Sequence, residues 1–193
     1  LILLAGLLLL AVFVDAPLLE RANPDLPENP AKSPWYFLGI QEMVSYSAFT
    51  GGILVPLLYL VFLISIPYLD KEDKYAGHWF SGDSGLKLTL VSVLFALCIV
   101  ILNLWVYIDF GWLRDWFPGL SQWWVLLINP ASIISILFII YSLWIKKRTK
   151  STRMAAIALF TVSFIALVIL TIVGIWFRGP NWDFYWSSSQ WPV

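Results

Sequence analysis

The chain is poor in the groups that carry most aqueous chemistry. Its 193 residues include one cysteine, Cys98, and one histidine, His78. A lone cysteine excludes a disulfide within the chain, and any cysteine-ligated cluster built by this chain alone. A lone histidine cannot supply both axial ligands of a bis-histidine haem. Charge is also scarce: 12% of residues are charged, against roughly 25% in a soluble domain. The charges sum to a formal +0, which gives nucleic acid no electrostatic reason to bind. Phosphate loops, zinc-ligand spacings and nucleophile–base pairs are missing, so soluble-enzyme chemistry has no support. There is no internal repeat and no second, soluble domain.

What fills the chain is apolar. Hydrophobic residues make up 60% of it and the mean hydropathy is +0.81, as expected of an integral membrane protein. A spanning helix needs roughly 20 apolar residues. Apolar runs lie at Leu1–Val14, Gly51–Leu69, Leu88–Ile108, Trp123–Ile145 and Ala155–Phe177. They predict a single all-α membrane bundle of about five spanning helices. The first run is short and spans only if it continues upstream; read as a leader it lacks a basic start and an A-x-A site. Asp15-Ala16-Pro17 closes it, and Pro24, Pro27 and Pro30 make residues 18–33 a loop or extended crossing. Pro34–Val44 reads as a short interfacial helix. Loops follow at Asp70–Leu86 and at Asp109–Gln122, the latter flanked by Trp112, Trp116, Trp123 and Trp124, residues suited to headgroup depth. Asn129-Pro130 predicts a kink, and Lys146–Arg153 a basic loop.

Basic residues give an orientation. Lys71, Lys74, Lys87, Lys146, Lys147, Arg148, Lys150 and Arg153 fall on one side, and Arg21, Lys32, Arg114 and Arg178 on the other. The positive-inside rule makes the first side cytoplasmic. Segment 15–50 and the C-terminal stretch from Arg178 then face outward.

The stretch between the first two apolar runs, Lys32-Ser33-Pro34-Trp35-Tyr36-Phe37-Leu38-Gly39-Ile40-Gln41-Glu42, is aromatic and amphipathic. Trp35 and Glu42 are seven residues apart, two helical turns, and share a face if the segment is helical. A carboxylate there is expected to be partly desolvated, with a raised pKa. Two readings stay open: an aromatic wall with a proton carrier, or an interfacial belt with Glu42 reaching for water.

SPWYFLGIQE resembles the "PEWY" segment of the cytochrome b family, and the apolar flanks LLLLAVFVDAPL and GGILVPLLYLVFLISIPYLD resemble that family's fifth and sixth helices. The resemblance covers about residues 5–70. The string RGPNWDF near the other end is similar to the tail of shortened bacterial cytochrome b C-terminal subunits. The resemblance implies a subunit-IV-like part of a split cytochrome b, in a proton-translocating Rieske/cytochrome b complex that oxidises quinol and passes electrons to cytochrome c or a similar acceptor. It implies a quinol pocket at Pro34, Trp35, Tyr36 and Phe37, with Tyr36 and Glu42 as candidate catalytic groups. The glutamate usual in the family falls at Pro34 here, so Glu42 is the nearby substitute. Haem b and a 2Fe-2S cluster would be held by partners: a haem-binding cytochrome b N-terminal subunit and a Rieske protein, with a c-type cytochrome, in a dimeric complex of a bacterial inner membrane. The outward orientation drawn from charge agrees with the side on which that family oxidises quinol. A different class of reading is a structural, haem-free membrane subunit of another respiratory or photosynthetic assembly. A small transporter would call for midplane polar residues and repeat symmetry, and neither is seen.

Other polar positions have plainer readings. Asp15 and Glu20 relay protons or simply end a helix. Asn103 and Asn129 are expected to hydrogen-bond between helices. His78 is expected to be solvated, Cys98 to pack, and Arg178 to snorkel to the surface above a Gly-Pro break. Lys146–Arg153 sets topology or meets anionic lipid.

Overall fold

The computed structural model describes residues 1–14, 31–72 and 77–191. Asp15, Glu20, Arg21, Lys74 and the prolines Pro24, Pro27 and Pro30 lie outside the described residues. Helices run over α1 (Ile2–Phe13), α2 (Trp35–Tyr46), α3 (Val55–Leu69), α4 (Asp83–Phe110), α5 (Leu113–Trp116), α6 (Gln122–Leu127), α7 (Pro130–Thr149) and α8 (Thr152–Trp176). Among the described residues there is no strand, only an isolated antiparallel bridge between Arg178 and Phe184. The protein is an all-α, multi-pass membrane bundle.

Four helical stretches are long and apolar enough to cross a membrane: Thr50–Leu69, Asp83–Phe110, Pro130–Thr149 and Thr152–Trp176. α1 is apolar but has 12 residues, and none of them is buried. Three boundaries depart from the sequence reading. The expected run at 123–145 is two helices, because Asn129 caps a new one instead of kinking an old one. Its Oδ1 accepts from Ser132 N at 3.0 Å, and Pro130 takes the first helical position, where a missing N–H costs nothing. The basic loop expected at 146–153 shrinks to a tight turn: α7 carries its lysines to Thr149 and Lys150 closes it in the left-handed conformation, φ 58°. The loop expected over Asp70–Leu86 ends early, since α4 begins at Asp83. A wide π-turn, Thr50–Leu54, opens the first of these crossings just before Pro56, where a proline removes a donor from the ladder.

The core is formed by α4, α7 and α8. Ala96, Val100 and Leu104 meet Ile134, Phe138, Tyr141 and Ile145, and both meet Ala158, Val162, Ala166, Leu170 and Val173. Each set recurs at three or four residues, one face of a helix. In a bilayer this packing and close approach, more than hydrophobicity, hold helices together. Ser92 and Tyr141 add a hydroxyl pair at 2.9 Å, and Ser142 Oγ donates to Ala155 O at 2.9 Å. Asn103 does not act as expected: its buried Oδ1 has no hydrogen-bond partner among the described residues. Cys98 is exposed on α4, not packed.

The helices alternate in direction, so the bundle has two ends. Asp70, Glu72, Lys146, Lys150 and Arg153 gather at one; Glu42, Thr50, Asn129 and Arg178 at the other. At the first end Glu72 accepts from Ser151 Oγ at 2.7 Å and from Thr152 N at 2.8 Å, capping α8 from outside. Arg153 pairs with Asp70 at 2.7 Å and also donates to Glu72 O.

Candidate functional site

The site forms where α2 lies across the end of α8. Close approach needs small residues, and two glycines provide them. A Cβ on Gly39 would sit 2.7 Å from Leu167 Cδ1 and 2.8 Å from Leu167 O, and one on Gly174 would sit 2.7 Å from Leu38 Cγ. Leu38, Gly39 and Glu42 are the buried residues of α2, a set spaced by three and four. Lys32 fastens the start of the segment by donating from Nζ to Ile175 O at 2.9 Å, one of the carbonyls left open at a helix C-terminus. Burial lowers the pKa of Lys32. Gln41 holds the entry, accepting from Ser33 N at 2.7 Å and donating to Ala31 O at 3.1 Å.

Glu42 is the centre of this contact. It has 0% exposed surface and forms an ion pair with Arg178, itself 6% exposed. Arg178 Nη2 donates to Oε1 at 2.5 Å, and Nε lies 3.0 Å from both oxygens. Tyr46 Oη donates to Oε1 at 2.7 Å and Trp182 Nε1 to Oε2 at 3.0 Å. Arg178 is held in turn by Trp182 O at 2.9 Å. Trp182 reaches Glu42 from a backbone φ of 64°, a conformation rare for a bulky residue. Beside it the aromatic tail packs on the end of α8: Phe177 and Phe184 stack at 5.5 Å, and Trp186 meets both edge-on.

The electrostatics follow from this geometry. Burial, then the neighbouring Glu42 charge, pushes the Tyr46 phenol well above its ordinary 10.0, so it remains a donor. For Arg178, burial works against the charge, but the hydrogen bond and charge of Glu42 outweigh it and raise the guanidinium above its ordinary value. A carboxylate offers about four lone-pair positions. Arg178, Tyr46 and Trp182 occupy them.

The two stretches that stood out in the sequence, SPWYFLGIQE and RGPNW, therefore meet in space. Two expectations change. Arg178 does not snorkel to the surface but turns inward, because a buried carboxylate needs a cation. Glu42 is fully buried, not partly desolvated, and does not share its surroundings with Trp35. Trp35 is the first residue of α2 and is 72% exposed. Tyr36 and Phe37 are also exposed, and so is Pro34. Their rings form an edge, with Trp35 to Tyr36 at 5.7 Å and Tyr36 to Phe37 at 5.1 Å. The sequence reading missed the Glu42–Arg178–Trp182 constellation. Its one signal was an acid beside a membrane segment, which needs a partner.

On the other side of α2 lies a cavity of about 530 Å³ between α3 and the α7–α8 pair, reached by Ile40, Met43 and Tyr46. Its lining is apolar, and Trp35, Tyr36 and Phe37 do not border it. Among the described residues no group of His, Cys, Asp or Glu is arranged to hold a metal. No family model matches the chain, and neither a curated protein nor a solved structure matches it.

Proposed function

We propose that this chain is the haem-free, C-terminal subunit of a split cytochrome b, and that it forms one wall of a quinol-oxidation pocket. The observation that carries the reading is the aromatic edge Trp35–Tyr36–Phe37. It is exposed, yet the helix that bears it is fixed by Gly39, Lys32 and the Glu42–Arg178 pair. Exposed aromatics on a fixed helix suit one half of a site for a planar ring, completed by another polypeptide. The resemblance of SPWYFLGIQE to the "PEWY" segment gives that ring the chemistry of a quinol.

On this reading the outer, periplasmic side of a bacterial inner membrane carries α2. Partner subunits, a haem-binding cytochrome b and a Rieske protein, hold the redox centres that receive the two electrons, and a c-type cytochrome lies downstream. This chain binds and orients the quinol: Pro34, Trp35 and Phe37 as wall, Tyr36 as wall and hydroxyl. A second reading, a structural haem-free subunit of another electron-transfer complex, is favoured by the fully occupied carboxylate of Glu42, which then serves as a strut.

The test is Trp35→Ala with Tyr36→Ala in the assembled complex. Quinol oxidation should disappear while the subunits stay together; normal turnover would refute the pocket. Glu42→Gln separates the two roles of the acid. Lowered stability with undiminished turnover per assembled complex assigns it to the scaffold.

A further inference from the structure

α3 buries none of its residues, because an elongated space separates it from α7 and α8. The part nearer α2 is the 530 Å³ cavity, with Val55 and Tyr59 facing Ile134 and Leu170. A further part of about 190 Å³ lies toward the opposite end, with Ile66 and Leu69 facing Leu143 and Ala156. Phe62, Ile139 and Leu159 border both parts, so they lie next to each other along α3. The walls are mainly apolar, with scattered hydroxyls such as Ser135 and Ser163. Only at the far rim does charge appear, where Lys146 and Asp70 line the opening.

That rim is positive. Lys71, Lys87, Lys146, Lys147, Arg148 and Lys150 are exposed there. Among the described residues the acids at the same end are Asp70, Glu72 and Asp83. Asp70 is engaged by Arg153, and Glu72 by Ser151 and the start of α8. Among the described residues no ion pair occupies Lys146, Lys147 or Lys150. Arg148 lies over the Trp144 ring, 5.3 Å from its centroid, an arrangement suited to headgroup depth.

We infer that this groove seats an anionic glycerophospholipid, with its acyl chains along α3 and its phosphate at Lys146 and the lysines beside it. An uncharged apolar molecule would need no cations at the mouth, and a free anion would need no apolar trough behind them. The bilayer supplies molecules that have both parts in this order. The inference stands apart from the quinol reading, since it uses neither the aromatic edge nor Glu42.

The test uses the full chain in detergent micelles, with thermal unfolding and native mass spectrometry as readouts. Palmitoyl-oleoyl phosphatidylglycerol should stabilise the protein and remain bound as a discrete adduct; the phosphatidylcholine of the same chains should do so less. Lys146→Gln, Lys147→Gln and Lys150→Gln should each weaken the phosphatidylglycerol adduct by roughly fivefold, with lipid-free stability unchanged. Ala156→Phe, which fills the trough, should remove both lipids; Ile66→Trp on the facing wall replaces it if that variant does not fold. Equal binding of the two lipids, stabilisation by inorganic phosphate alone, or an adduct that survives both fillings would each overturn the assignment.

Discussion

The carboxylate of Glu42 and the guanidinium of Arg178, 136 residues apart in the chain, meet where neither is open to solvent. Removing one member of a buried pair strands the other, at a cost of about 3–5 kcal/mol. Glu42→Ala and Arg178→Ala should each destabilise the protein by that order. Arg178→Lys should rescue little, because an ammonium cannot reproduce the two-nitrogen contact. The double variant Glu42→Gln with Arg178→Met should be milder than either alanine variant. Tryptophan fluorescence during thermal or SDS denaturation reads all four.

Gly39 is expected to be intolerant of any side chain. Its missing Cβ leaves room for Leu167 O, a backbone atom that cannot swing aside. Gly39→Ala should cost about 1–3 kcal/mol, and Gly39→Val more, as α2 lifts from α8. Gly6, with nothing within 4 Å of its would-be Cβ, is the control: Gly6→Ala should leave the melting temperature unchanged.

The opposite end of the bundle should show a weak acid dependence. Hydrogen bonding from Arg153 is the largest cause holding Asp70 below its ordinary 3.8. A carboxyl that is more acidic when folded contributes stability above its unfolded value and loses it as pH falls through the folded one. Wild type should therefore lose stability as pH drops below 3.8, and Asp70→Asn should lack that component. The effect is small, because the pair is solvent-screened. Melting temperature measured against pH in both proteins checks it.

Asn129→Ala should cost about 2 kcal/mol. It removes the cap of α7 and, with it, the donor that reaches Thr50 Oγ1 at 3.0 Å and Leu126 O at 2.6 Å. Asn129→Asp keeps the acceptor but sets a buried, unpaired carboxylate against Leu126 O, so it should be at least as destabilising as alanine in the same denaturation measurement.

The crossings could be read from the sequence because length and hydropathy alone decide them. The stretch around Glu42 also stood out, as did Arg178-Gly179-Pro180-Asn181-Trp182. Their meeting did not, since it depends on the crossing of α2 and α8, and that crossing rests on two single glycines with no period to reveal them. Asn129-Pro130 shows a different limit. The same dipeptide suits a kink or a new beginning, and only the Thr50 and Ser132 hydroxyls around Asn129 choose the beginning. Trp35 shows a third. Helical phase alone puts it with Glu42, but Trp35 stays exposed while Glu42 is fully buried.

The distance along the chain between Glu42 and its cation has a consequence for biosynthesis. During translation the acid emerges before the crossings of α4, α7 and α8 exist, and it waits at the membrane boundary without its counter-charge until Arg178 follows. The nascent chain therefore cannot set the pose of Trp35, Tyr36 and Phe37 early. Their final attitude is fixed as a late step of maturation, when the last helix returns to the side where the first of these residues was left.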